Sequence, residues 1–540
     1  MWLTLSQQFL KDAQSFALQK KGAPSMSLSE QPQLVSEEQL VEQFGYRQEF
    51  RRELKRFASF AVGFSFISIT TGIFTTYGSV LNWGGPLGIW TWPLVIIGQL
   101  LVALVFGALA SRIPLAGYSY QWASRLINPK IGWLTGWISF TFLVVDVVAV
   151  DYAVAQTVLP TLFGYTETPV NAWIATAAVI LIQTLLVLFS TVWATRINNT
   201  AVGTEVVGIV GLTLLLLIVG GVRGLLHPDH LFSTGSVSTA DYFSLGGLFS
   251  SGPFMLSFLL GAFTIVGFEA AANLAEETHE AHRTVPFAMW SSVLLSGVVG
   301  FAFLIALNLA SDNLQALAGS ATPVADIITH VLGPIVGDIF LVLVTFSIFA
   351  CGLVIFITLT RLIWAMSRDE RFPASHWLRQ VNPNTGTPVQ STVLSFVLCE
   401  LVLALFAGIG LALNQTTTLS NLFSAATLLP AIIYLLTVIY YVAARRRLPS
   451  IPGGFNLGIF EWPVIILALI WLVFELLIFR DGQFAVPWLY TLGMFALGLI
   501  YFVWLLIARP EVLKTVPIEE TVRALGNSSP SAEISGSSTT

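Results

Sequence analysis

Long apolar stretches, separated by short polar segments, recur along most of the chain. Twelve of them are distinguishable, with approximate limits 57–81, 88–110, 131–159, 172–193, 201–222, 251–276, 285–308, 333–365, 389–411, 419–443, 462–479 and 485–508. About 20 predominantly apolar residues suffice for one α-helix to cross the hydrocarbon core of a membrane. The pattern therefore predicts an all-α integral membrane protein with twelve transmembrane helices, called spans 1 to 12 below.

Spans 1 and 6 contain polar interruptions. In span 6 the interruption is a glycine followed by an acid, Gly267 and Glu269, and in span 1 it is a run of small and hydroxylated residues, Ser68, Thr70, Thr71 and Gly72. Interrupted spans at matching places in two halves of a chain indicate the binding site of a transporter. We therefore predict two repeats of five spans, at about 57–222 and 251–443, followed by the extra helices of 462–508.

Composition and charge support this class and set an orientation. Of the 540 residues, 55% are hydrophobic and 10% are charged, whereas soluble proteins carry about 25% charged residues. With the N-terminus inside, all but two of the 25 Lys and Arg lie on the inner side, which predicts cytoplasmic termini. We expect a cytoplasmic segment at 1–56, the transporter domain at 57–509 and a disordered cytoplasmic tail at 510–540. The net charge of −5 gives no reason to expect a nucleic-acid partner.

Each interruption frees backbone groups that can bind a solute. Amides at residues 70–72 and near Gly267, aided by the dipole of the following half-helix, suit a carboxylate. Freed carbonyls suit an ammonium group. Such a site binds an amino acid without a charged side chain, but the alternative is that Gly72 and Gly267 only permit close helix packing.

Some of the acidic residues within the apolar spans are candidates for function. Glu269 is a functional candidate because charged groups in a span usually face the bundle interior or a wet cavity. Asp146 and Asp151 lie roughly 140° apart on a regular helix, so both cannot face one narrow cavity. Asp151 is the favoured functional residue because polar side chains follow it, although it could instead be a buried acid capped by its neighbours. Glu205 is predicted near the inner end of span 5, facing water.

One aromatic residue and one charged loop are further candidates. Phe263, one turn before the interruption of span 6, could cover a solute or could be ordinary packing. The acidic and histidine-containing loop at 276–283 falls short of the H-E-x-x-H zinc motif and is predicted to be a solvated loop without a metal. The sequence contains no nucleophile triad, phosphate-binding loop or zinc-spaced cysteines, so we predict neither an enzyme nor a cofactor.

Five segments in order resemble the amino acid-polyamine-organocation (APC) permease superfamily, and within it the amino acid/choline/GABA permease group. They are ISITTGIFTTYG, RIPLAGYSYQWASRLINPKIGWLTGW, GFEAAANLAEETHEAHRTVPFAM, RLIWAMSRDERFP and GTPVQSTVL. The resemblance implies the inverted-repeat fold of five plus five helices with broken helices 1 and 6, and alternating-access transport of amino acids or related amines.

The resemblance also implies roles for individual residues. Thr70, Thr71 and Gly72 match the motif that holds the substrate carboxylate, and the Ser68 carbonyl lies near the amine. Phe263 matches the aromatic gate, Val266 and Gly267 the unwound segment, and Glu269 the acid of that segment. Thr70-Thr71 departs from the Gly-Ser of many relatives, which would narrow the pocket.

The function expected is transport of an amino acid or amine such as GABA across the plasma membrane, driven by an ion gradient. The coupling ion is a proton or sodium; span 5 lacks the lysine that some proton-coupled relatives have, and Glu269 or Asp151 is the candidate proton carrier. The alternatives are a choline or polyamine transporter, in which Asp151 pairs with the cation, and a transporter-like solute sensor.

Overall fold

The computed structural model describes residues 41–42, 44–166, 168–239, 242–243, 252–320, 322–383, 385–412, 420–448, 451, 453–480 and 484–514. Within these ranges the regular structure is helical, and the β pairing is one isolated bridge between Leu54 and Thr278. Eleven helices in the described part of the chain are long and apolar enough to cross a membrane, and span 6 adds a twelfth, interrupted crossing. The prediction of an all-α membrane protein with broken spans 1 and 6 is confirmed.

The helix bounds follow the predicted order of spans. Span 1 comprises Arg56–Ile67 and Ile69–Trp83, span 2 Thr91–Arg112, span 3 Pro129–Thr157, span 4 Pro169–Phe189, span 5 Thr191–Arg223, span 6 Pro253–Ser257, Leu259–Thr264 and Ala270–Asn273, span 7 Ala281–Ala310, span 8 Pro334–Arg368, span 9 Val389–Ala412, span 10 Ser420–Ala444, span 11 Glu461–Ile478 and span 12 Ala485–Ala508. Shorter helices are Tyr118–Leu126, Leu159–Phe163, Leu314–Ala318, Pro323–Leu332 and Ser375–Leu378.

Spans 4 and 5 differ from the prediction. The segment at 194–200, predicted as a loop, is helical, because span 5 already begins at Thr191. The Ser190 side chain caps that start by accepting a hydrogen bond from the Trp193 N–H, and Thr168 caps span 4 in the same way. Polar N-cap side chains therefore set where these two helices begin. Hydropathy alone places both starts several residues too far along the chain.

Spans 1 and 3 form the centre of the bundle. Their most apolar windows are 89% and 94% buried, against 17% for span 12. Spans 8 and 10 pack against span 3, span 7 packs against span 2 and the first half of span 1, and the first half of span 6 packs against the second half of span 1. The two broken spans therefore meet inside the protein, while spans 11 and 12 lie at its periphery.

The end of the bundle at Arg56, Arg112 and Arg368 is called the N-terminal face here. Residues of the preceding segment pack on this face, where the Leu54 N–H donates to the Glu277 carbonyl and the Leu54 carbonyl accepts from the His279 N–H. Residues 1–40 of the predicted N-terminal segment and 515–540 of the predicted tail lie outside the described residues. The division into two five-span repeats stays a prediction.

Candidate functional site

The break in span 1 is centred on Ser68. This residue has φ 37° and ψ 88°, a left-handed conformation that is uncommon for a residue other than glycine. Its N–H still bonds to the Phe64 carbonyl, which ends the first half-helix. Its side-chain oxygen accepts from the Thr71 N–H at 3.3 Å and so begins the second half-helix. A serine at this place closes one helix and caps the next.

The break in span 6 extends from Ile265 to Glu269 and is held by span 10. Gly267 has φ +81°, and its N–H donates to the Tyr434 hydroxyl at 2.9 Å. The same hydroxyl donates to Oε2 of Glu269 at 2.6 Å. Tyr434 thus satisfies both a freed amide and the buried carboxyl group of the break.

The two breaks pack reciprocally against each other. A Cβ on Gly267 would lie 1.7 Å from Cδ1 of Phe66, at the end of the first half of span 1. A Cβ on Gly72 would lie 2.1 Å from Oγ1 of Thr264, at the end of the first half of span 6. Close packing therefore accounts for the glycine at position 72, in agreement with the alternative interpretation of the sequence. Gly267 is required both for its backbone conformation and for the contact with Phe66.

Glu205 of span 5 enters the break of span 1, contrary to the expectation that it faces water. It is 1% exposed, and its Oε1 accepts from the Thr70 N–H at 3.0 Å and from the Ser68 hydroxyl at 3.3 Å. The expectation was wrong because span 5 begins at Thr191. At 1.5 Å per residue, Glu205 lies roughly 20 Å from the helix start.

The amides predicted to be free are bonded within the protein in this conformation. Thr70 N–H bonds to Glu205, Thr71 N–H to the Ser68 side chain, and Gly72 N–H to the Ser68 carbonyl at 3.0 Å. The Thr70 hydroxyl is buried beside the same Glu205 carboxyl group. All of these groups are shielded from solvent, which describes a closed site.

The acidic residues of span 3 are separated as their helical spacing predicts. Oδ1 of Asp151 accepts from the Gln183 amide of span 4 at 2.8 Å, and Gly352 of span 8 packs closely against the same oxygen. Asp146 interacts electrostatically with Glu269. Asp151 is thus held by spans 4 and 8, and Asp146 lies nearer to the broken span 6.

The remaining predicted residues lie along span 6. Phe263 is half-buried in the last turn before the break, and Val266, 7% exposed, lies within the break beside Gly267. Their roles as gate and pocket lining stay predictions. Among the described residues, one side-chain group could hold a metal ion, His227, Asp229 and His230, on the turn that follows span 5.

The loop at 276–283 is not the solvated loop that was predicted, because two of its acids are buried and paired. Glu276 accepts two hydrogen bonds of 2.9 Å from Arg368. Glu277 accepts bonds of 2.7 and 3.3 Å from Arg361. Bidentate pairing with arginine satisfies carboxylates that would otherwise be costly to bury. These pairs join span 6 to span 8 on the N-terminal face.

A second cluster on this face is centred on Asp369, which follows span 8. The hydroxyls of Tyr46 and Tyr120 donate to its two oxygens, and Arg371 lies 3.7 Å away. Burial alone would raise the pKa of Asp369, but Arg371, Arg368 and the two hydroxyls together hold it below its usual value. Burial and the neighbouring Asp369 raise the pKa of Tyr46. The cluster therefore ties the N-terminal segment to the bundle through an ionised carboxylate.

Two broken spans that meet at the centre of a helical membrane bundle define a transporter of the kind whose site lies between discontinuous helices. The family model described as amino acid permease matches residues 54–507, and the chain belongs to that family. It is accordingly a multi-pass membrane transporter of the amino acid and organocation class, not an enzyme.

Known relatives cover most of this chain. The amino-acid permease BAT1 of Arabidopsis thaliana is 26% identical and aligns with 82% of this chain and 88% of its own length. The GABA-specific permease of Saccharomyces cerevisiae is 25% identical, with 83% and 78% covered. The choline transporter of the same yeast is 24% identical, with 79% and 76% covered.

Sequence reasoning missed two residues of this site. Tyr434 stands in span 10 among other apolar and aromatic residues, and no local pattern marks it as the partner of Glu269. Glu205 was recognised as an acid in span 5 but placed at the wrong depth. The requirement that a buried carboxylate have a partner was the available signal in both cases, yet it does not identify which residue meets it.

Proposed function

We propose that this protein is a secondary transporter that takes up an amino acid or related amine, such as GABA, by alternating access driven by an ion gradient. The observation that carries the proposal is the reciprocal packing of the two breaks, with Phe66 on Gly267 and Thr264 on Gly72. Packing of this kind places two half-helix ends and their polar backbone groups at one buried position.

The substrate is bound through its two ends. The carboxylate binds the amides of Thr70, Thr71 and Gly72, where it replaces acceptors that the protein itself now supplies. The ammonium group binds the Ser68 carbonyl and the unwound segment at Val266 and Gly267. Phe263 covers the solute from the last turn before the break.

The coupling ion is a proton carried by Glu269. This carboxyl group is 2% exposed and bonded to Tyr434, so a change in its charge alters the hydrogen bonds that hold the break of span 6. Asp151 is the second candidate for this role because its Oδ2 is buried without a hydrogen-bond partner among the described residues. We propose that the protein lies in the plasma membrane with both termini in the cytoplasm.

Choline or a polyamine is the second candidate substrate. A relative named choline transporter aligns with 79% of this chain, and Asp151 offers a carboxylate for a cationic solute. A solute sensor with the same fold would bind without transporting.

The test is uptake into proteoliposomes of labelled GABA, L-alanine, L-arginine and choline, with an imposed pH or sodium gradient. Accumulation of a zwitterion under a pH gradient is the expected result, and Glu269→Gln should abolish its dependence on pH. Glu475→Gln, a buried acid of span 11 that bonds to Gln99, is the matched control and should retain coupling.

Other outcomes would contradict parts of the proposal. If choline or arginine is taken up and the zwitterions are not, the substrate is a cation. Binding without flux of any solute would favour a sensor. Full pH dependence in Glu269→Gln would exclude that residue as the proton carrier.

A further inference from the structure

Glu205 contacts the groups that the proposed function assigns to the substrate carboxylate. Its Oε1 accepts from the Thr70 N–H at 3.0 Å and from the Ser68 hydroxyl at 3.3 Å, and the Ser68 oxygen lies 2.6 Å from the Thr71 hydroxyl. These hydrogen bonds go to the break of span 1 and not to a basic side chain of the described chain. The proposed function gives this carboxyl group no role of its own, although a substrate carboxylate has to replace it at the Thr70 amide.

The chemistry of the contact is that of an anion at the start of a helix. Thr70 lies in the first turn of Ile69–Trp83, where N–H groups lack intrahelical partners and the helix dipole favours negative charge. A substrate carboxylate would be bound there for the same reasons. The side chain of Glu205 and the carboxylate of a solute therefore compete for the same donors.

We propose that Glu205 is a tethered carboxylate that occupies the substrate-carboxylate position of the broken span 1 and is displaced when a carboxylate-bearing solute binds. The inference rests on the proposed function, because it requires a solute that binds at this break. It makes Glu205 a determinant of specificity in span 5, outside the two broken spans.

Displacement affects zwitterions and cations differently. A zwitterion binds only the fraction of molecules in which Glu205 has left the amides, and its apparent dissociation constant is raised by the inverse of that fraction. A cation without a carboxylate does not require these amides and is attracted by the charge of Glu205. The residue therefore shifts the preference of the site from amino acids toward amines.

The test is equilibrium binding of labelled GABA, L-alanine and choline to the purified full-length protein. Glu205→Ala removes the competing carboxylate, and Glu205→Gln keeps its shape while weakening the hydrogen bond from Thr70. The matched control is Glu475→Gln, because Glu475 is also 1% exposed and accepts one hydrogen bond of 3.0 Å, but in span 11. Size-exclusion chromatography establishes that each variant is folded.

We expect Glu205→Ala to lower the dissociation constant of a zwitterion by about tenfold or more, since the solute then displaces no competing hydrogen bond from the Thr70 amide. Glu205→Gln should change it in the same direction by less. The dissociation constant of choline should stay constant or rise, and Glu475→Gln should alter neither by more than about twofold.

Two results would overturn the inference in distinguishable ways. An unchanged or raised dissociation constant for the zwitterion in both Glu205 variants, with wild-type protein that binds it, would refute the tethered carboxylate alone. Wild-type protein that binds none of the three solutes would refute the proposed function and the inference with it. If Glu205→Ala does not fold, Glu205→Gln decides between these results.

Discussion

Replacing Tyr434 by phenylalanine removes the hydroxyl that holds the break of span 6. The ring contacts of Tyr434 with Phe106 and Phe268, at centroid distances of 5.2 Å, are retained in this variant. What is lost is the bond from the Gly267 N–H at 2.9 Å and the bond to Glu269 at 2.6 Å. The substitution therefore tests the break with little change in packing.

The magnitude follows from the two groups left unsatisfied. Each buried donor or acceptor without a partner costs about 1–3 kcal/mol, and relaxation of the unwound segment recovers part of that cost. We expect the free energy of unfolding to fall by about 2–4 kcal/mol. If the transition state for uptake loses a similar amount of free energy, kcat/KM should fall at least about tenfold, since 1.4 kcal/mol corresponds to a factor of ten.

The assay compares uptake kinetics and thermal unfolding of Tyr434→Phe with those of Tyr441→Phe. Tyr441 lies two turns further along span 10 and also donates to a glutamate at 2.6 Å, Glu461, but on the N-terminal face. The control should be slightly destabilised and should transport normally. Equal kcat/KM values in the two variants would refute the reasoning that Tyr434 organises the binding site.

Three further predictions concern packing, a buried ion pair and pH. Gly267→Ala should fail to transport and should lower the melting temperature, because the new Cβ would lie 1.7 Å from Phe66 and φ +81° disfavours alanine; wild-type uptake would contradict this. Arg361→Met should lower the free energy of unfolding by roughly 3–5 kcal/mol, because Glu277 is left buried without its partner. Adding Glu277→Leu should recover most of this stability, as measured by thermal unfolding. A double variant that is no more stable than Arg361→Met would contradict this prediction. Asp369→Asn should lower the melting temperature at pH 7. The deficit should begin to shrink below the unfolded pKa of about 3.9 and disappear once the pH is below the folded pKa, because a carboxyl group with a lowered pKa loses its stabilising contribution over that range. A deficit that grows on acidification would contradict the sign.

Hydropathy and two interruptions were sufficient to predict the membrane class, twelve crossings and the positions of the breaks. Ser68 and Gly267 are recognisable because polar or flexible residues in an apolar helix leave backbone groups without partners. The partners themselves were not predictable. Tyr434 meets Glu269 across 165 residues of sequence, and this contact depends on how span 10 packs.

The sequence also misled us about how deeply three acidic side chains are buried, because their surroundings depend on residues distant in sequence. Glu205 was placed near water because the polar start of span 5 was taken for a loop. Glu276 and Glu277 were expected in a solvated loop because a cluster of charges usually indicates one. Their arginine partners, Arg361 and Arg368, lie about 90 residues away on span 8, and local sequence does not reveal such pairing.

The central claim is that the meeting point of the two breaks is a binding site exposed alternately to the two sides of the membrane. The direct measurement is the reactivity of Val266→Cys with a membrane-impermeant thiol reagent applied from either side, after replacement of the buried Cys351 and Cys399 by alanine. We predict modification from both sides and protection by the transported solute. Modification from one side only, or reactivity that the solute does not change, would contradict the account.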